Sequence, residues 1–299
     1  MEDIINNISL KDIELLIQDW KENTIEPIIK VNKLENITYI ALQISKILYD
    51  NDINLEKSLN EINIMQKELN NKINAKSQKD NINNRPTQKI EIINEFMFKE
   101  KGFRPNILDY QNPMNNLLNI VLEKKMGIPI TLSIIYISLG NSIGLKLYPV
   151  NFPAYFLVKH VLDEKGDEII IDPFNQGRIM DDYSLKNILD KLLPHQNIPL
   201  NKLLLTKATL SQVAIRLLNN MKESFFESQD YERLYLSNEM ILAIDPRNSY
   251  AMRDKGIILY RTNPEKAKEL LTKYLEIEPE ATDADSILKI IKNLREKNF

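Results

Sequence analysis

The feature that most limits the fold of this 299-residue chain is a change of hydrophobic period between Leu145 and Phe174. Before it, apolar residues recur at helical spacing: Ile13, Leu16, Ile17 and Trp20, then Ile37, Ile40, Ala41, Ile44 and Leu48, then Leu55, Leu59, Ile62, Met65 and Leu69. Ser9 is placed to cap the first stripe. Inside the change, "LKLYPV", "AYFLVKHVL" and "EIIIDPF" are rich in β-branched and aromatic residues, and "DEKGD" with Gly166 reads as the hairpin loop between the last two. After it the helical period returns. A small antiparallel sheet packed against helices predicts an α+β fold.

The helix expected to carry that sheet is "GIPITLSIIYISLGNSIG", 127–144. Pro129 suits its first turn, where an amide would have no helical partner, and Gly144 suits its stop. Leu132, Ile135, Tyr136, Leu139 and Ile143 are its expected buried face. Upstream, Ile90, Ile93, Phe96 and Met97 form another helical face, and "NPMNN" makes a turn before a short helix through Leu117, Leu118, Val121 and Leu122. A helix over about 182–193, capped by Asp182, closes the domain. The stretch "KELNNKINAKSQKDNINNRPTQ", 67–88, reads as a polar loop, because it offers few residues for burial.

From about 209 the chain repeats. "QDYERLYLSNEMILAIDPRN" aligns with "TNPEKAKELLTKYLEIEPEA", and Pro246 and Pro279 stand 33 residues apart. This resembles the tetratricopeptide repeat, paired helices with a Pro after the second. Ala243, Ala251, Gly256 and Ala267 are expected at helix contacts. The resulting organisation is an N-terminal helical part of the core (1–66), a polar loop (67–88), a core (89–200) and a helical repeat (209–297).

Composition then removes whole classes of function. With 43% hydrophobic and 27% charged residues the chain is expected to be globular. A net charge of -3 argues against a general nucleic-acid binder. The absence of cysteine excludes disulfides, thiolate-bound zinc and a thiol nucleophile. Two histidines, His160 and His195, and seven glycines leave no basis for a metal site or a glycine-rich phosphate loop, so no cofactor and no metal are expected. The first twenty residues carry charge and no continuous apolar run, so neither a signal peptide nor a membrane span is expected there and the location expected is cytoplasmic.

Several phrases together carry a specific likeness: Gly102-Phe103 ahead of Asn106, the turn Tyr110-x-x-Pro113-x-Asn115, "GIP" opening a helix, "FP" before a strand, and "IDPF". They resemble the bacterial Sir regulator B family, transglutaminase-like proteins with C-terminal tetratricopeptide repeats, over roughly 35–297 and most strongly over 96–180. The resemblance implies a papain-like core in which a triad position falls at each of Pro129, Tyr155 and Asp172. In such folds a cysteine at the helix start is activated by a histidine and oriented by an acid. The cysteine position here falls on or beside Pro129, the histidine position on Tyr155 with Ala154 in place of a glycine, and only Asp172 matches.

A serine nucleophile needs a base, and a phenol with an ordinary pKa near 10 is a poor one. His160 lies five residues along the strand and is expected on its other face. The function expected is therefore a non-catalytic, pseudoenzyme-like regulatory module that binds a protein or peptide, not nucleic acid or membrane, with Thr131, Ser133 and Asn115 lining an inherited cleft. The competing expectation is a hydrolase or acyl-transfer enzyme using Ser133 or Asp172 in the same cleft.

Overall fold

The computed structural model describes residues 10–26, 36–49, 53–77, 85–162 and 167–296. They divide into two compact units: residues 28–217, and residues 1–27 with 218–299. The first unit is an α+β domain, and the second is all helical. The N-terminal helix α1 (Leu10–Trp20), expected to belong to the core, falls in the second unit. Its stripe predicts that something covers Trp20, but nothing local in the sequence says what. The Ser9 cap lies outside the described residues.

The first unit is organised around one apolar helix. Helices α2 (Ile37–Tyr49), α3 (Leu55–Ser77), α4 (Pro86–Asn94, continued by a π-helical turn Glu95–Glu100) and α5 (Leu118–Lys124) precede α6 (Pro129–Ser142). Between Ile130 and Leu139 the helix α6 carries no charged residue. Leu132, Ile134, Ile135, Tyr136, Ile137 and Leu139 are all fully buried, so its first two turns are enclosed on every side, while Ser138, Asn141 and Ser142 further along are half-buried. It packs against α2, α3 and α4 and against the sheet. Buried Lys89 donates to the carbonyl of Ile143 at 3.0 Å, placing a cation where the helix dipole is negative.

The sheet is an antiparallel meander of β3 (Leu147–Val150), β4 (Leu157–Val161), β5 (Glu168–Asp172) and β6 (Arg178–Met180), in that order. Val150 pairs with Leu157 and Val158 with Ile171. A second, two-residue parallel pair joins β1 (Arg104–Pro105) to β2 (Met126–Gly127). Helix α7 (Asp182–Leu192) adds Leu185 and Leu189 to a cluster with Val150, Phe152, Leu157 and Ile170. Its cap is Asp181, whose carboxylate accepts the Ser184 amide at 2.8 Å, one residue earlier than expected. The hairpin residues 163–166 lie outside the described residues.

Two further expectations change. The polar loop begins late, because α3 continues through Leu69 and Ile73, both buried, and the helical stripe outweighs the polar composition around it; residues 78–84 lie outside the described residues. The strand expected from Ala154 starts only at Leu157, because Ala154 sits in a turn at φ +53°.

In the second unit, α8 (Leu210–Glu227), within which the division falls, is followed by α9 (Tyr231–Ile244), α10 (Ser249–Ile258), α11 (Pro264–Ile277) and α12 (Ala284–Glu296). Helices α9 and α11 start 33 residues apart and end 33 apart, and their caps Asp230 and Asn263 hold the same offset. Each cap side chain accepts the amide three residues on, at 3.1 Å. Gly256 lets α10 approach α11 so closely that an added Cβ would stand 2.7 Å from Leu271. Ala251 and Ala267 are buried and Ala243 half-buried.

Candidate functional site

The site is built at the end of β5, where the chain turns sharply. Asp172 is the last strand residue and caps the 3-10 turn Pro173–Asn175, its Oδ1 accepting the amides of Phe174 at 3.0 Å and Asn175 at 3.2 Å. Pro173 at the first position of the turn fixes its direction. The Asn175 Nδ2 donates to Asp172 Oδ2 at 2.6 Å and reaches the Tyr155 hydroxyl at 3.3 Å. The chain then leaves through Gln176 and Gly177, both at positive φ, and the Gly177 amide returns to the Asp172 carbonyl at 2.9 Å.

Tyr155 enters from the other side. The turn at Ala154 sets it just ahead of β4, with its amide donating to the Phe152 carbonyl at 2.9 Å. Its hydroxyl donates toward Asp172, standing 3.2 Å from both carboxylate oxygens. Asp172 is fully buried, and burial pushes its carboxyl above the usual range, against the donors from Asn175, Tyr155 and Phe174 that pull it down. Tyr155 is held far above the ordinary phenol value by burial first and by the adjacent carboxylate second. The phenol therefore keeps its proton and gives a hydrogen bond. It cannot take a proton from a nucleophile at neutral pH.

Pro129 opens α6 as expected and is buried, and it brings no polar group to the pair. The turn 173–175 packs against the same helix. Thr131 and Ser133 were expected to line a cleft; both are completely buried. Thr131 Oγ1 accepts the Ile128 amide at 3.1 Å and donates to the Asn115 carbonyl at 3.0 Å, so it fastens the helix start. Ser133 Oγ has no hydrogen-bond partner, and so no base. Asn115 is also buried, and ties a loop in place: it donates to the carbonyls of Asp109 at 2.6 Å and Tyr110 at 3.1 Å and accepts from Asn106 at 2.8 Å. The tightly packed start of a buried helix leaves these three side chains no cleft to face. His160 is engaged with the Lys146 carbonyl at 2.9 Å, and His195 is exposed.

Sequence reasoning missed three residues that complete the site. Asn175 was legible in principle, since an Asp-Pro-x-Asn turn can fold an amide back onto its own cap. Phe174 and Tyr110 were not, because they meet across the fold. Phe174 stands edge-on to Tyr155, centroids 6.3 Å apart, and to Tyr110 at 6.1 Å. Beside Tyr110, Ile107 is 69% exposed and Leu108 fully exposed. No group of three metal-binding side chains occurs among the described residues, and no helix there is long and apolar enough to cross a membrane.

A helix whose first turn holds a proline, a strand ending in a buried acid, and a helical repeat later in the sequence define a class. The family model of the transglutaminase-like superfamily matches residues 56–219, more than half the chain, and the chain belongs to that superfamily. A tetratricopeptide repeat matches 221–292. Among curated relatives, a UPF0162 protein of Xylella fastidiosa is 29% identical over 205 residues, covering 67% of this chain and 71% of the relative. Protein SirB1 of Salmonella typhimurium is 27% identical over 174 residues, 57% of this chain and 62% of the relative, in line with the Sir regulator B resemblance. F-box only protein 21 of Mus musculus is 28% identical over 199 residues, 64% of this chain but 31% of that longer protein. No solved structure matches the chain. With no cysteine in the chain, the thiol triad of the fold is absent.

Proposed function

We propose that the protein is a non-catalytic binding or regulatory module in which Pro129, Tyr155 and Asp172 occupy the positions of a lost triad. The observation that carries this reading is the use of the surviving acid. Both Asp172 oxygens are taken up by Tyr155, Asn175 and the turn amides, and the group that touches the acid holds its proton. An acid so occupied holds a turn together.

The surface that replaces chemistry is the loop 106–112 and its neighbours. Asn115 holds that loop in shape; Tyr110 stands edge-on to Phe174, which also meets Tyr155, and Ile107 and Leu108 of the same loop are exposed. An aromatic and aliphatic patch on a pre-organised loop suits a protein or peptide segment. The tetratricopeptide match and the likeness to an F-box only protein are consistent with a protein partner. Affinity capture from the native organism with wild type and with Leu108→Glu, read by mass spectrometry, tests the assignment. Leu108 is fully exposed, so the variant keeps its fold. A protein recovered with wild type and lost with the variant is expected; identical recovery contradicts this surface.

A further inference from the structure

A second site lies within the core unit, away from the Tyr155–Asp172 pair. A cavity of about 490 Å³ opens between α2, α3 and α6. Of its ten lining residues, eight carry a neutral amide or hydroxyl and none carries a charge, in a chain that is 27% charged. An asparagine-rich sequence alone does not account for this. On the same helix α3, Glu56, Lys57, Glu61, Lys67, Glu68 and Lys72 all lie off the cavity, and only its uncharged face turns inward.

The polar groups are held in place but not exhausted. Gln66 Nε2 donates to Ser138 Oγ at 2.9 Å and to the Ser138 carbonyl at 3.2 Å, leaving its carbonyl oxygen to offer. Asn141 Oδ1 accepts the Leu147 amide at 2.9 Å, leaving its NH₂. Asn63 is exposed and has no side-chain partner among the described residues. Leu59, Ile62 and the half-buried Tyr39 ring supply apolar wall beside them.

We infer that this cavity binds a neutral sugar of one or two rings. A sugar hydroxyl both donates and accepts, as an amide does, so each amide finds a partner in either orientation. The C–H faces of a sugar ring need an apolar wall, which Tyr39, Leu59 and Ile62 provide. A phosphorylated or acidic ligand would leave water for a site without a counter-charge, and a purely apolar one would strip the amides of their hydrogen bonds. The cavity size is that of a small-molecule site.

Saturation-transfer NMR on the full chain tests the inference, with glucose, N-acetylglucosamine and cellobiose as probes and glucose 6-phosphate and glucuronate as charged counterparts. The neutral sugars are expected to show saturation and the charged ones little. Asn63→Asp, isosteric and at an exposed position, is expected to weaken the neutral signal at least several-fold, whereas Tyr155→Phe leaves it unchanged. Circular dichroism checks that both variants are folded. Equal signals from charged and neutral probes, no signal from any neutral probe, or an Asn63→Asp variant that binds like wild type overturns the inference.

Discussion

The Tyr155 hydroxyl stands equidistant, at 3.2 Å, from the two carboxylate oxygens of Asp172. A half-buried phenol against a buried acid makes stability sensitive to alkali. Tyr155 and Tyr136, whose hydroxyl donates to Asn94 at 2.8 Å, are both raised above the ordinary value of 10.0, burial being the first cause. A raised pKa means that the stabilisation is fully present below the unfolded value and is lost as pH climbs past it. Denaturant midpoints measured from about pH 8 to about pH 11 should fall steeply above about pH 10, and Tyr155→Phe should flatten that fall. An unchanged alkaline slope in the variant would show that Tyr155 does not titrate with folding.

Gly177 is the tightest point of the site. It sits at φ +72°, and an added Cβ would stand 1.8 Å from Asn94 Oδ1, part of the Tyr136–Asn94–Gly177 chain of hydrogen bonds. Gly177→Ala should cost about 3 kcal/mol or more, from overpacking added to backbone strain. Gly102 has nearly the same φ, +74°, with nothing within 4 Å, so Gly102→Ala should cost only about 1 kcal/mol. Chemical denaturation of the pair separates strain from collision, and equal costs would refute the contact.

Ala154 shows the opposite strain. It is exposed and non-glycine at φ +53°, on the turn that delivers Tyr155. Ala154→Gly relieves about 1–2 kcal/mol of left-handed strain but adds freedom to the unfolded chain, leaving a gain of about 0.5 kcal/mol. A lower melting temperature in this variant would contradict the turn geometry.

In the helical unit, Gly256→Leu should cost about 1–3 kcal/mol, because the new side chain meets Leu271 and the Ala267 carbonyl where α10 and α11 touch. Calorimetry that finds the variant as stable as wild type would remove this contact.

What the sequence shows and hides follows from the range of the interactions. The helix 129–142, the three main strands and the 33-residue offset were legible, because each is written in local period, proline and glycine. Helix α3 ran on into the expected loop, to Ser77, since Leu69 and Ile73 extend a stripe through polar surroundings. The three-residue strand β6 has no period to read, and its existence depends on pairing with β5. At the site, Asp172 and Tyr155 were placed as partners from resemblance. The left-handed turn at Ala154, the amide of Asn175 and the Phe174–Tyr110 packing needed the folded chain. Thr131, Ser133 and Asn115 were misread because residue type alone does not distinguish a cleft hydroxyl or amide from one that fastens a buried helix start.

The most direct measurement is turnover. Wild type and Asp172→Asn are assayed against activated esters and against glutamine and lysine amides, with the second variant Tyr155→Phe alongside. On the proposed reading all three should hydrolyse or transfer at the rate of buffer alone, because the Ser133 hydroxyl meets no base and Tyr155 keeps its proton against Asp172. Wild-type turnover that Asp172→Asn abolishes would contradict the account and make the pair a working catalytic site.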